Sequence, residues 1–274
     1  MSSDDRRASG RDEDLNPDAL APLSVDKGYA LITLSRPHRG NALSAALVHA
    51  LNTQIRRAVE TDSVHSLVFE GAGAQFCTGF DLGGLEDLSE ADLLERFVRV
   101  ELLLDTIWRS PIRTIAIAHG RCWGAGADLF AAFDLRLAAP GSSYRFPGAG
   151  FGIVLGSRRL ASRVGSERAR RWISEATSLD AHEALRHGLA TELVTTRPGD
   201  NPQAHMGWRQ SHLPPAVTID RATLLAMRQA TDPAGNLSQA QADADLAALV
   251  RSATREGLKA RVLAYRTRQR APQG

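Results

Sequence analysis

Two stretches could do chemistry: Gln75-Phe76-Cys77-Thr78-Gly79-Phe80-Asp81-Leu82 and His119-Gly120-Arg121-Cys122-Trp123-Gly124-Ala125-Gly126-Ala127-Asp128-Leu129. Each places small residues where a strand turns into a helix. The first N–H groups of a helix have no intrahelical acceptor, and the positive end of the helix dipole lies beside them. Two such turns, if they meet, aim two N–H donors at one carbonyl oxygen. That is an oxyanion hole, which stabilises negative charge developing on a thioester or enolate. Asp128 adds a carboxyl able to move a proton nearby. It reads equally as a first-turn acid that complements the helix dipole, and the glycines read equally as tight packing points.

The surrounding pattern supplies the elements that would position these turns. Tyr29-Ala30-Leu31-Ile32-Thr33-Leu34 alternates as a strand, so structure is expected to begin near Gly28. Ser44 opens a helical pattern through Leu47, Leu51 and Ile55. Ser66 to Glu70 and Thr114 to Ala118 are short apolar strands, with an amphipathic helix through Leu93, Phe97 and Ile107 between them. A helix from Ala127 to about Phe133 and a strand from Leu135 to Ala139 follow. Strands alternating with helices, one strand apolar on both faces, predict an α/β fold with mostly parallel pairing. The stretch 201–215 turns polar and holds three prolines, which suggests a connection. Ala222 to Ala230 and Gln239 to Arg268 then read as helices, with an apolar stripe (Leu246, Leu249, Leu258, Val262) suited to this chain or to a neighbouring subunit.

Composition excludes several classes. The chain has 274 residues, and 33 basic side chains nearly balance 31 acidic ones, which argues against a dedicated nucleic-acid binder. No apolar run approaches membrane-spanning length, so no membrane partner is expected. Two cysteines without a Cys/His cluster argue against a disulfide framework or a zinc site, and fit a reducing cytoplasm. The charged residues 1–20 are expected to form a disordered tail ahead of a core at 21–200 and a C-terminal helical region at 201–274.

The ordered motifs resemble the crotonase superfamily, that of the enoyl-CoA hydratases and isomerases. Arg36-Pro37 followed by Asn41-Ala42-Leu43 is similar to its opening, and Phe76 to Leu82 to its F-C-x-G-x-D-L loop. His119 to Leu129 resembles its N-G-x-x-x-G-G-G-x-E-L turn, and Phe133-Asp134-Leu135-Arg136-Leu137-Ala138 the strand after it. The resemblance covers roughly residues 25 to 195 and implies a spiral of repeated ββα units with C-terminal helices that mediate a homotrimer or a dimer of trimers. It implies an acyl-CoA thioester as substrate and no separate cofactor or metal. By position, the oxyanion donors would be the N–H groups of Phe80 and Ala125, and Asp128 would hold the first catalytic acid position. Arg36, His38 and Arg39 are candidates for CoA phosphate contacts. Cys77, Thr78, Gly79, Gly124 and Gly148 would line the site, and Trp123 and Phe80 would either flank the acyl group or serve as core.

The second catalytic acid of a family hydratase falls on Gly148, which has no side chain, so at most one carboxylate of the pair is kept. The segment from Gly152 to Leu160 is shorter than the family's and basic. Arg145, Arg158 and Arg159 read either as contacts to an anionic acyl group or as charges paired with acidic neighbours. Asp81 is expected to cap the helix after the first turn, and His119 to be a packing residue. Lys259 reads as a surface lysine or as a contact to a neighbouring subunit's CoA. The resulting expectation is an enoyl-CoA hydratase/isomerase-type enzyme. The alternative is an acyl-CoA-binding protein of the same fold with reduced catalysis.

Overall fold

The computed structural model describes residues 16–195, 202–232 and 235–270. Six strands lie side by side: β1 (Leu23–Asp26), β2 (Tyr29–Leu34), β3 (Ser66–Gly71), β4 (Arg113–Ala118), β6 (Leu135–Ala138) and β9 (Glu192–Leu193). Only β1 is antiparallel to its neighbour. All six residues of β3 are buried, as in a parallel strand covered on both faces. On one face, Leu67 and Phe69 join Phe130, Phe133 and the apolar stripe Leu47, Leu51, Ile55 of helix α2 (Ala45–Glu60). On the other, Val68, Ile115, Ile117 and Leu137 pack against Trp208 and Leu213.

That second face corrects one expectation. The proline-bearing stretch read as a connection contains helix α8 (Pro202–His212), while residue 201 lies outside the described residues. The apolar sheet face has to be covered, and Trp208 helps to cover it. Arg209 of the same helix sits 2.8 Å from the buried carboxylate of Glu70, which would otherwise be costly to bury.

A smaller sheet, β5 (Arg121–Trp123), β7 (Ser143–Arg145) and β8 (Leu179–Asp180), stands beside the first. Each long strand feeds a short one and then a helix: β4 to β5 to α4 (Ala125–Ala132), and β6 to β7 to α5 (Ser157–Val164). Earlier in the chain the short strand shrinks to a single bridging residue. Leu43 bridges to Phe80 between β2 and α2, and Cys77 bridges to Cys122 between β3 and α3 (Glu90–Trp108). The repeated ββα unit of a crotonase-like fold is therefore present throughout. Helices α6 (Ser166–Glu175) and α7 (Ala181–Arg186) complete the layer.

Helix starts follow local chemistry. Ser44 Oγ accepts the N–H of Leu47, and Ser89 with Asp92 forms a reciprocal cap at the start of α3. Asp81 does not cap α3: its Oδ1 accepts the Gly83 N–H at 2.9 Å, and its Oδ2 pairs with Arg36. The tail expected to be disordered through residue 20 ends sooner, and structure begins before Gly28. Pro17–Leu20 forms a short helix, α1, with Leu20 buried and Asp18 accepting from Gln54 and Arg57; residues 1–15 lie outside the described residues. The C-terminal pattern divides into α9 (Arg221–Ala230), α10 (Gln239–Ala253) and α11 (Leu258–Arg270), the last two separated at Gly257, where φ is +71°. Leu249, Leu258 and Val262 pack on Leu85, Leu93 and Phe97, so this part of the stripe is covered by the same chain.

Asn41 ties the exit of β2 to the exit of β3. It adopts a left-handed conformation (φ +55°), and its Nδ2 donates to the carbonyls of Ala72 (2.9 Å) and Gln75 (2.7 Å). Its Oδ1 accepts from the Arg36 N–H at 2.9 Å. Asn41→Ala removes these bonds and leaves buried polar groups unmet, so urea unfolding is expected to show a loss of about 2–4 kcal/mol.

Candidate active site

The two turns meet through their backbones. Cys77 N–H donates to Arg121 O (3.2 Å), and Trp123 N–H donates to Cys77 O (3.0 Å). This seam brings Gly79 against residues 123–125. A Cβ built on Gly79 would lie 2.6 Å from Trp123 O and 3.2 Å from Ala125 N, and its φ of +102° disfavours any other residue. Leu43 grips the first turn from its far side, donating to Gly79 O (2.8 Å) and accepting from Asp81 N–H (3.2 Å). Ala125 is the first residue of α4, so its N–H has no acceptor within the helix. Neither that N–H nor the one of Phe80 donates to an acceptor among the described residues.

Phe80 and Ala125 line one cavity of about 310 Å³, together with Thr78, Trp123, Gly124, Asp128 and Gly148. Its wall is an aromatic series. Phe80 stacks on Phe97 with centroids 4.1 Å apart, Phe97 lies 6.3 Å from Phe151, and Phe151 lies 4.8 Å from Tyr265. The Arg96 guanidinium sits 4.9 Å over the Phe80 ring. Phe97, Phe151, Tyr265, Ser157 and Gln269 were not singled out from sequence. Phe97 had a signal, its place on the apolar face of a helix read as amphipathic. The others join the site through the packing of α11 (Tyr265, Gln269), the turn at Pro147–Phe151 and the start of α5 (Ser157).

Other candidates are placed elsewhere. Arg36 is buried, donating to Ala42 O (2.7 Å) and pairing with Asp81 (2.9 Å), so it secures the first turn and does not face a CoA phosphate. His38 and Arg39 are exposed on a 3-10 turn whose Arg39 O lies 3.5 Å from Thr78 Oγ1. Cys77 does not line the cavity, and both its backbone groups are used in the seam; burial pushes its thiol up to about 12. Arg145 donates to Ala176 O, and Arg158 and Arg159 pair with acids, not with the pocket. Lys259 donates to the carbonyls of Glu86 and Leu88 of its own chain, and His119 Nε2 is 2.9 Å from Gly73 O.

Asp128 is the one carboxyl lining the cavity among the described residues. It lies on the buried α4, 7 % exposed, and its side chain has no hydrogen bond among them. Burial first, and then repulsion from Glu101, push its pKa well above the usual carboxylate range, opposed by Arg159. A native state that keeps a proton which the unfolded chain releases loses stability as pH rises above the unfolded pKa, about 4. Asp128→Asn imitates the neutral acid. It is expected to melt higher than the parent at neutral pH, the difference narrowing as pH falls toward about 4. A difference constant across the pH series would mean that Asp128 titrates normally.

Comparison with known proteins agrees with this geometry. The family model described as enoyl-CoA hydratase/isomerase matches residues 24–260. A protein named probable enoyl-CoA hydratase echA6, from Mycobacterium tuberculosis (strain CDC 1551 / Oshkosh), is 37% identical over 178 residues, 63% of this chain and 71% of the relative. An ethylmalonyl-CoA decarboxylase of Mus musculus is 31% identical over 188 residues, 66% of this chain and 57% of the relative. A crystal structure of the enoyl-CoA hydratase/isomerase kind from Bordetella parapertussis superposes with a TM-score of 0.77 at 39% identity, covering 90% of this chain and 98% of that one. A repeated ββα architecture, two facing turns and a family match over most of the sequence together make this chain a member of the enoyl-CoA hydratase/isomerase family.

Proposed function

We propose that this protein acts on an acyl-CoA thioester through an enolate, with the thioester oxygen held between the Phe80 and Ala125 N–H groups and Asp128 moving the proton at the α-carbon. One observation carries the reading: Phe80 and Ala125, whose N–H groups have no acceptor among the described residues, line the same apolar-walled cavity as Asp128, the one carboxyl there among those residues. Donors fixed in a seam need no reorganisation as charge develops, which is where such a site gains most. Burial raises the Asp128 pKa, which favours the protonated form that can donate a proton. The chemistry that suits it is delivery of a proton to an enolate already formed. Isomerisation fits, and so does loss of carbon dioxide from an acyl group that carries a β-carboxylate. In the latter the C–C bond breaks, its electron pair passes into the enolate, and the Asp128 proton goes to the α-carbon. Similarity to an ethylmalonyl-CoA decarboxylase supports including that reaction. Hydration is less well served, because water also needs a base and Gly148 offers none.

A second reading is an acyl-CoA-binding protein with reduced catalysis, favoured by the bare Gly148 in the cavity wall. In either case His38 and Arg39, beside Thr78, are the exposed side chains proposed for CoA phosphates. Exposed Ile219, Leu225 and Met227 support the homotrimer or dimer of trimers proposed for the family fold. The free thiols of Cys77 and Cys122 support a cytoplasmic setting. The described residues contain no helix long and apolar enough to cross a membrane.

Short, medium and aromatic enoyl-CoA thioesters, with a malonyl-type thioester, are incubated with the protein in D₂O and read by mass spectrometry. Deuterium at the α- or γ-carbon is expected, and Asp128→Asn should slow its appearance on the order of 10²- to 10⁴-fold. Tight binding of every ester with no mass change would favour the binding-protein reading. A Cβ on Gly148 would meet only Ile153 O, at 3.4 Å, so the backbone there has room to start a side chain. Gly148→Glu is expected to add hydration to the products.

A further inference from the structure

We propose that the acyl group this site takes is an aromatic one, an arylacyl thioester whose ring lies against Phe151 and Tyr265, and that these two residues set the preference. The inference rests on the reading of the cavity as an acyl-CoA thioester site, and it names the chemical class of the acyl group.

Rings run along the cavity from the thioester end. Phe80, whose N–H is proposed to hold the thioester oxygen, stacks on Phe97 with centroids 4.1 Å apart and planes 15° apart. Phe97 lies 6.3 Å from Phe151, and Phe151 lies 4.8 Å from Tyr265, tilted by 51°. Phe97 is buried. Phe151 and Tyr265 are half-buried and line the cavity, so part of each ring is left uncovered by the chain. Leu82, Ile153, Leu155 and Ile173 share the wall and suit an alkyl or an aryl group equally. The rings distinguish the two. An aromatic group set edge-to-face or offset against an aromatic wall gains beyond its buried area, through the ring quadrupoles, and an alkyl chain does not.

Size points the same way. At about 310 Å³ the cavity is at the lower end of small-molecule sites, so it suits one compact group better than a long chain. A planar ring also gives up fewer torsions on binding than an alkyl chain with as many carbons. The wall itself is fixed in advance. Phe151 ends the turn Pro147–Phe151, and its carbonyl and that of Gly152 accept from Arg261 Nη1 of α11 at 3.1 and 3.3 Å. Arg268 Nη2 of α11 donates to Gly150 O at 3.1 Å, and a Cβ on Gly150 would stand 3.5 Å from Tyr265 Cε2. Arg266 of the same helix donates to Leu82 O at 3.1 Å, and Lys259 Nζ to Leu88 O at 2.7 Å. α11 is thus tied both to the turn that carries Phe151 and to the segment that follows Phe80. A wall held in this way loses little freedom when a ring docks on it.

The test measures binding without turnover, using saturated thioesters that have no double bond to hydrate or shift and no carboxylate to lose. Isothermal titration calorimetry compares phenylpropanoyl-CoA with cyclohexylpropanoyl-CoA, which has the same carbon count and no π face. Nonanoyl-CoA and free CoA are the references. Burial alone favours the cyclohexyl ester, the more apolar of the two rings. Ring contacts reverse that order, and the phenyl ester is expected to bind about three- to tenfold more tightly than the cyclohexyl or nonanoyl ester. Phe151→Leu and Tyr265→Leu are each expected to bring that ratio toward one, with the esters still binding more tightly than free CoA. The two substitutions lie on different elements, so either folded variant alone decides. A cyclohexyl or nonanoyl ester that binds as tightly as the phenyl ester overturns the proposal and leaves the thioester reading standing. A ratio unmoved in a folded variant removes that residue from the preference. Esters that bind no more tightly than free CoA overturn the thioester reading, and the proposal with it.

Discussion

The site depends on a seam of backbone hydrogen bonds between residues 76–77 and 119–123. Phe76 N–H to His119 O, Cys77 N–H to Arg121 O and Trp123 N–H to Cys77 O join two turns that are distant in sequence. With that seam closed, Phe80 and Ala125 line the same cavity. The seam in turn requires that nothing intervene. A Cβ at Gly126 would sit 2.3 Å from Cys77 O, as one at Gly79 would press on Trp123 O. Any residue except proline supplies a backbone N–H, so the donor role proposed for Phe80 and Ala125 makes no demand on their side chains.

Burial follows from the same arrangement. Parallel strands β3 and β4 are covered on one face by α2 and the apolar residues of α4, and on the other by Trp208 and Leu213. α4 is therefore enclosed, and all eight of its residues are buried. A carboxylic acid placed on such a helix meets low dielectric whatever its purpose. Here that cost falls on a carboxyl that lines the cavity and raises its pKa.

Much of this was legible in the sequence because it is local. Strand alternation in β2, the Ser44 cap and the two glycine-bearing turns are each set by neighbours within a few residues. The fold and the chain's place in its family followed from their order. What escaped depended on contacts across long separations. The role of α8 lies in covering a sheet face, which no local pattern announces. Arg36 looks like a phosphate ligand until Asp81, 45 residues away, is seen beside it. Arg158 and Arg159 look like anion contacts until Asp245 and Glu101 supply the anions from the same chain. The aromatic wall joins Phe80, Phe97, Phe151 and Tyr265 from four separate parts of the sequence.

The contact between Asp128 and Gly156 constrains how the pocket can drift. The carboxyl occupies the space above Gly156, whose φ of +62° already favours glycine. Lengthening the acid by one methylene would drive it into that loop, and adding a side chain at 156 would expel the acid. The two positions are therefore coupled: a larger side chain at either requires the backbone before α5 to move.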